Sequence, residues 1–201
     1  MATATIDGLL PHGATNFSRR LRRARLGLSI GVLAIVMVFV SFTSAYVVRQ
    51  GLPTLDPRTD TLVRDWLPLP LPGFLLFNTF VLLLSTVTVE LARRRVRKSL
   101  WLGMTLLLGS AFLTCQWVVW RDLAARGYYL ATGPSSAFLY LLTGMHGIHL
   151  LGGILALLVA GALAALRRPL ESRAVVLDIT AWYWHFMTLL WLYILCLLEF
   201  A

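Results

Sequence analysis

Five stretches of the chain carry no charged residue: Leu26 to Val48, Leu67 to Val89, Ser99 to Trp120, Ser135 to Leu166 and Ile179 to Leu198. Inside them the apolar residues are clumped instead of following a surface period. A helix needs about 20 apolar residues to cross the hydrocarbon core, so each run predicts one transmembrane helix. The spans are placed at about residues 26–48, 72–92, 99–120, 136–166 and 176–198. The fourth run exceeds a single crossing, which predicts tilt or protrusion. A barrel would alternate apolar with polar positions, and an open sheet in lipid would leave backbone groups unpaired. The predicted fold is therefore all-α: one bundle over residues 26–201 behind a basic leader, residues 1–25, whose first 18 residues are expected to fray.

Composition agrees. Of 201 residues 58% are hydrophobic and only 13% charged, about half the usual charged share of a soluble domain. The net charge of +9 raises the question of nucleic acid, and the distribution answers it. Arg19, Arg20, Arg22, Arg23 and Arg25 precede the first span; Arg93, Arg94, Arg95, Arg97 and Lys98 follow the second; Arg167, Arg168 and Arg173 follow the fourth. These thirteen fall on one side, against Arg49, Arg58, Arg64, Arg121 and Arg126 on the other. Cytoplasmic loops hold such an excess, so the N-terminus is expected inside and the C-terminus outside. The basic charge reads as a topology signal with attraction to anionic headgroups, not as a nucleic-acid surface. The first span is too long, and its leader too extended, for a cleaved signal peptide. Cys115 and Cys196 fall within spans and read as small core hydrophobes.

Along the chain, Leu-Pro-Leu-Pro-Leu-Pro at 67–72 predicts an extended approach, with Pro72 in the first turn of span two. Asn78 and Ser85 are seven residues apart on one helix face, which suits hydrogen bonding to a neighbouring helix. Gly152, Ala156, Ala160 and Ala164 form a small-residue ladder on span four that would admit another helix closely.

Four histidines are present, three of them (His146, His149 and His185) within spans. An intramembrane histidine is costly without a partner, so ligation of a metal or haem stands beside interhelical hydrogen bonding as a reading. Depth argues against a shared metal, because His146 and His149 belong to the outer part of span four and His185 to the inner part of span five. Glu90 is expected to pair with Arg93 or Arg94 at helix spacing. No span holds a central carboxylate, so the chain alone is not expected to transport protons. Phosphate loops, nucleophile–base pairs and cysteine clusters are missing from the sequence, and a membrane scaffold fits better than an enzyme.

The stretch Leu142-Thr143-Gly144-Met145-His146-Gly147-Ile148-His149-Leu150 resembles the Thr-Gly-Phe-His-Gly-Leu-His signature of subunit III of the haem–copper respiratory oxidases. Trp182-Tyr183-Trp184-His185-Phe186, followed by Leu190-Trp191-Leu192, is similar to that family's closing pattern. Asn78-Thr79 with Leu82-Leu83-Leu84-Ser85, and Thr105, Leu108-Gly109 and Gln116, match two further helices in family order. Length and span count resemble the short bacterial form. Three acids usual in the family are replaced, by Ile35, Val119 and Thr188.

The resemblance implies a non-catalytic subunit that binds no cofactor of its own, in the bacterial inner membrane. Haem and copper would be in partner catalytic subunits of an oxygen-reducing, electron-transporting complex, with cytochrome c more than quinol as donor. It implies packing against oxidase subunit I and other oxidase subunits, by extension a larger respiratory supercomplex, and bound phospholipid. Asn78, Gln116, Gly144, His146, Gly147, His149, Trp184, His185 and Trp191 would be structural, and Arg93, Arg94, Arg167 and Arg168 would contact lipid or headgroups. With position 119 a valine, His149 is expected to bond Gln116 or Thr114. The alternatives are a haem-binding membrane anchor using His146, His149 or His185, a partner of a nitric oxide reductase, and a stand-alone carrier.

Overall fold

One helix falls on each charge-free run, and the first, third and fifth helices extend past their runs through polar residues that can leave the hydrocarbon. The computed structural model describes residues 12–55, 60–63, 66, 73–94, 98–167 and 169–200. Its helices are α1 (His12–Gly51), α2 (Phe74–Arg94), α3 (Lys98–Ala125), α4 (Pro134–Ala165) and α5 (Leu170–Phe200). All five are long and apolar enough to cross a membrane. A ribbon of two residues per strand, β1 (Thr54–Leu55) antiparallel to β2 (Leu62–Val63), lies in the first loop and was not expected from the sequence.

The expected frayed leader is corrected from residue 12 onward. Helix α1 runs 40 residues, or roughly 60 Å at 1.5 Å per residue, so Arg19 to Arg25 ride on its extension past a core about 30 Å thick. Residues 1–11, the proline run with Pro72, and Arg58, Arg64, Arg95, Arg97 and Arg168 lie outside the described residues.

Helix ends follow local chemistry. Pro134 opens α4 at a position where its missing N–H is not needed. Helix α3 closes on Gly127 at φ 89, with the Tyr128 N–H donating to Leu123 O and the Gly127 N–H to Ala124 O, both at 3.0 Å. That left-handed close favours glycine. At the end of α4 the same region is taken by Arg167, at φ 50.

Helix α2 packs on α3 and α5, α4 on α3 and α5, and α1 lies outside against α4 and α5. Phe39 and Tyr46 are the buried hydrophobics of α1. It is tied down at three depths: the Arg25 guanidinium contacts Asp178 at 2.9 Å, Thr43 Oγ1 meets Tyr193 Oη at 2.8 Å, and Tyr46 packs edge-on to Phe138 and Trp66.

Candidate functional site

Helix α2 carries the polar positions, and each faces a partner on α3 or α5. Asn78 Nδ2 donates to Gln116 Oε1 at 3.1 Å, and Thr88 Oγ1 meets Thr105 Oγ1 at 2.8 Å, both across the α2–α3 seam. Toward α5, the Trp191 indole N–H donates to Thr79 Oγ1 at 3.0 Å and that of Trp184 to Ser85 Oγ at 2.9 Å. Thr86 and Thr188 hydroxyls meet at 2.7 Å. Asn78 and Ser85 thus do bond neighbouring helices, as their shared face implied. The two indole bonds were missed in the sequence, although a buried indole needs an acceptor and α2 offered a hydroxyl at each level.

Trp184, fully buried, is the centre of this packing. A Cβ built on Gly109 would lie 2.7 Å from its Cη2, and one on Gly153 3.1 Å from its Cε3. Glycines of α3 and α4 therefore grip the two sides of one α5 indole. This corrects the small-residue ladder at its first residue, while Ala160 of the ladder is buried. Gly152 meets only Tyr183 Oη, at an ordinary 3.7 Å, and the tight approach belongs to Gly153, one residue along. Gly144 and Gly147 leave room for Trp120 and Leu113 of α3, each at 3.8 Å from the position of a Cβ.

The three intramembrane histidines have separate surroundings. His146 is fully buried, edge-on to Phe112 and tilted over Trp191 with centroids 5.1 Å apart, and neither ring nitrogen has a hydrogen-bond partner among the described residues. His149 Nδ1 is 2.8 Å from Met145 O, so this nitrogen carries the proton and donates within its own helix, while the ring packs on Phe39. The expected bond from His149 to Gln116 or Thr114 is not made: Gln116 is paired with Asn78, and Thr114 donates to Ser110 O. A helical histidine reaches the carbonyl four residues back without requiring a second helix. The Tyr183 hydroxyl donates to His149 O at 2.8 Å and binds α5 to α4 there.

His185 Nε2 lies 3.3 Å from Glu90 Oε2. Glu90 also receives Arg93 through two hydrogen bonds, at 2.7 and 2.9 Å, and Arg94. Arg93 extends to Asp178 at 3.3 Å, and Asp178 takes Arg25. The expected pairing of Glu90 is met by both arginines, and the network joins α1, α2 and α5 at the arginine-rich end. Among the described residues no three His, Cys, Asp or Glu side chains are grouped to hold a metal.

At the positions of the replaced acids, Val119 is buried in the core, Ile35 is half-buried against it, and the Thr188 hydroxyl bonds Thr86. Cys115 is half-buried, whereas Cys196 is exposed on the bundle's outside, not in its core.

The family model described as cytochrome c oxidase subunit III matches residues 12–200. The chain is 34% identical over 139 residues to the cytochrome bo(3) ubiquinol oxidase subunit 3 of Pseudomonas aeruginosa, covering 64% of this chain and 63% of that protein. It is 29% identical over 177 residues to the cytochrome c oxidase subunit 3 of Thermostichus vulcanus, covering 86% and 85%. To that of Drosophila yakuba it is 29% identical over 181 residues, covering 85% and 66%. The chain thus spans just under two thirds of the first and third of these relatives.

Proposed function

This chain belongs to the cytochrome c oxidase subunit III family, and from that membership we propose that it is the accessory, non-redox subunit of a bacterial haem–copper oxidase. The match over residues 12–200 carries this reading. In it the chain packs beside oxidase subunit I and other subunits, within the cytoplasmic membrane, and haem and copper reside in those partners. The arginine-rich end faces the cytoplasm. Cytochrome c is the proposed electron donor. The histidine environments support a structural role: His149 is spent within its helix, His185 on Glu90, and His146 on aromatic packing.

Phospholipid binding belongs to the same proposal. Arg93 and Arg94 already serve Glu90, so they order the end of α2 as well as meeting headgroups. Arg167 is exposed and free to do the latter.

The test is a pull-down through this chain from gently solubilised membranes, with mass spectrometry of the partners and an absorption spectrum. Haem-bearing oxidase subunits should accompany it, and the isolated chain should show no Soret band. Stoichiometric haem on the isolated chain, lost on replacing His146, His149 or His185, would establish the anchor reading instead.

A further inference from the structure

In the half of the bundle away from the arginine-rich end, four helices bring polar side chains to one depth. The Trp120 indole meets Thr143 at 3.1 Å, and a Cβ on Gly147 would lie 3.8 Å from Leu113. These contacts set the register of α3 against α4. They place Gln116, between Leu113 and Trp120, level with His146, between Thr143 and Gly147. Both side chains face the core, with 3% and 0% exposure. Phe112, one turn from Gln116, meets the His146 ring edge-on at 5.9 Å. Helix α2 joins through Asn78, bonded to Gln116, and α5 through Trp191, which lies over His146 and donates to Thr79. Four buried side-chain atoms among the described residues have no hydrogen-bond partner, and all belong to this layer: Asn78 Oδ1, Gln116 Nε2 and both ring nitrogens of His146. We propose that the layer is a binding site for an internal water molecule, which links His146 of α4 to the Asn78–Gln116 pair.

The groups match water in number and kind. A neutral imidazole carries one donor and one acceptor. The Asn78–Gln116 pair keeps a free amide N–H and a free carbonyl oxygen, whichever way the two amides are turned. Water offers two donors and two acceptors, so one molecule can serve both sides. The donor set does not suit a metal ion: two neutral amides and one imidazole supply no carboxylate, and Val119, one turn beyond Gln116, is apolar and buried. Among the described residues no three His, Cys, Asp or Glu side chains are grouped to hold a metal.

The surroundings call for an occupant. Polar groups buried in the membrane have no bulk solvent to turn to, and leaving them unpaired is costly. Where protein partners are missing, ordered water commonly takes their place. The α3–α4 seam has room for it beside His146. A Cβ on Gly144 or Gly147 would make only ordinary contacts, at 3.8 Å from Trp120 and Leu113, so each glycine leaves space of about a methyl group. A direct bond between Gln116 and His146 would require one of them to move, and Gln116 is held by Asn78 while the ring is packed on Phe112 and Trp191. Helices α2 and α4 do not pack on each other among the described residues. The water therefore joins α4 to α2 through Gln116 and fixes which ring nitrogen of His146 carries the proton. This site goes beyond the subunit reading and does not depend on it.

The complex that this chain enters, purified from membranes, is imaged by electron cryo-microscopy at a resolution that shows ordered water. A solvent peak is expected within hydrogen-bond distance of one His146 ring nitrogen and of the Asn78–Gln116 pair. In His146→Phe, which keeps the bulk of the ring without its nitrogens, the peak should be lost while the bond between Asn78 and Gln116 stays. An ordered His146 ring with no such peak, a direct side-chain bond to it, or a peak unchanged in His146→Phe would each overturn the proposal. If His146→Phe does not assemble, the full chain is placed in lipid nanodiscs with isotope-labelled histidine. His12, His149 and His185 are replaced by Gln there, so that His146 gives the only histidine signal. Solid-state magnetic resonance should show transfer from water protons to the His146 ring, and its absence in a sample with native helix content would overturn the proposal as well.

Discussion

Replacing Gly109 with alanine tests whether the Trp184 packing is as tight as its geometry implies. In an open helix this change stabilises by about 1 kcal/mol, because alanine loses less backbone freedom than glycine. Here the added methyl would lie 2.7 and 2.8 Å from two atoms of the Trp184 ring. The indole has little room to retreat: Gly153 of α4 is against its other side, and its N–H is held by Ser85 Oγ. Forcing a methyl into a filled core costs about 1–3 kcal/mol. If the indole shifts enough to lose Ser85, an unsatisfied buried donor adds about 1–3 kcal/mol. Subtracting the helix gain leaves an expected loss of about 0–2 kcal/mol if the Ser85 bond is kept and about 1–5 kcal/mol if it is lost. Gly103→Ala is the control on the same helix, where the methyl meets nothing within 4 Å; it should be neutral or stabilising by up to about 1 kcal/mol. Both are measured as unfolding free energies in mixed micelles, with near-ultraviolet circular dichroism reporting the tryptophan environment. Gly109→Ala as stable as Gly103→Ala, with an unchanged aromatic spectrum, would refute the reasoning.

Three further outcomes are expected. Glu90→Gln removes the carboxylate shared by Arg93, Arg94 and His185 but leaves Asp178 to hold Arg93, so a loss of about 1 kcal/mol is expected for this partly exposed network, read by thermal unfolding in detergent; a loss above about 3 kcal/mol would mean the cluster acts as a buried one. His149→Gln removes an intrahelical bond whose net worth is about 0.5–1.5 kcal/mol, so the purified complex should keep its metal and haem content and spectrum, and stoichiometric loss of either would contradict a structural role. A reporter fused after Ala201 should be active only outside and one after Arg97 only in the cytoplasm; the reverse pattern would overturn the orientation.

The number, length and helical state of the spans were legible in the sequence because hydrocarbon imposes a simple demand: about 20 residues, apolar, with every backbone group paired within the segment. Charge-free runs report that directly, and helix ends moved only by a few residues where polar turns could extend, except at α1. Residues 12–25 looked like a loose leader because arginines interrupt the apolar pattern, yet a helix already nucleated in the membrane continues through them. The side-chain chemistry of α2 was legible as well, down to Asn78 and Ser85 sharing a face and Glu90 meeting arginine.

Which groups meet across helices was decided only by the tertiary structure, because it depends on the rotation and depth of each helix, which lipid-facing and core-facing leucines do not distinguish. His149 illustrates this: its residue type asked for a partner, and its own helix supplied one, while Gln116 was turned toward Asn78. The grip of Gly109 and Gly153 on Trp184 joins three helices, so no single segment carries its signal. The layer of Asn78, Gln116 and His146 has the same origin. Three helices bring these groups to one depth, and that meeting is a property of the assembled bundle.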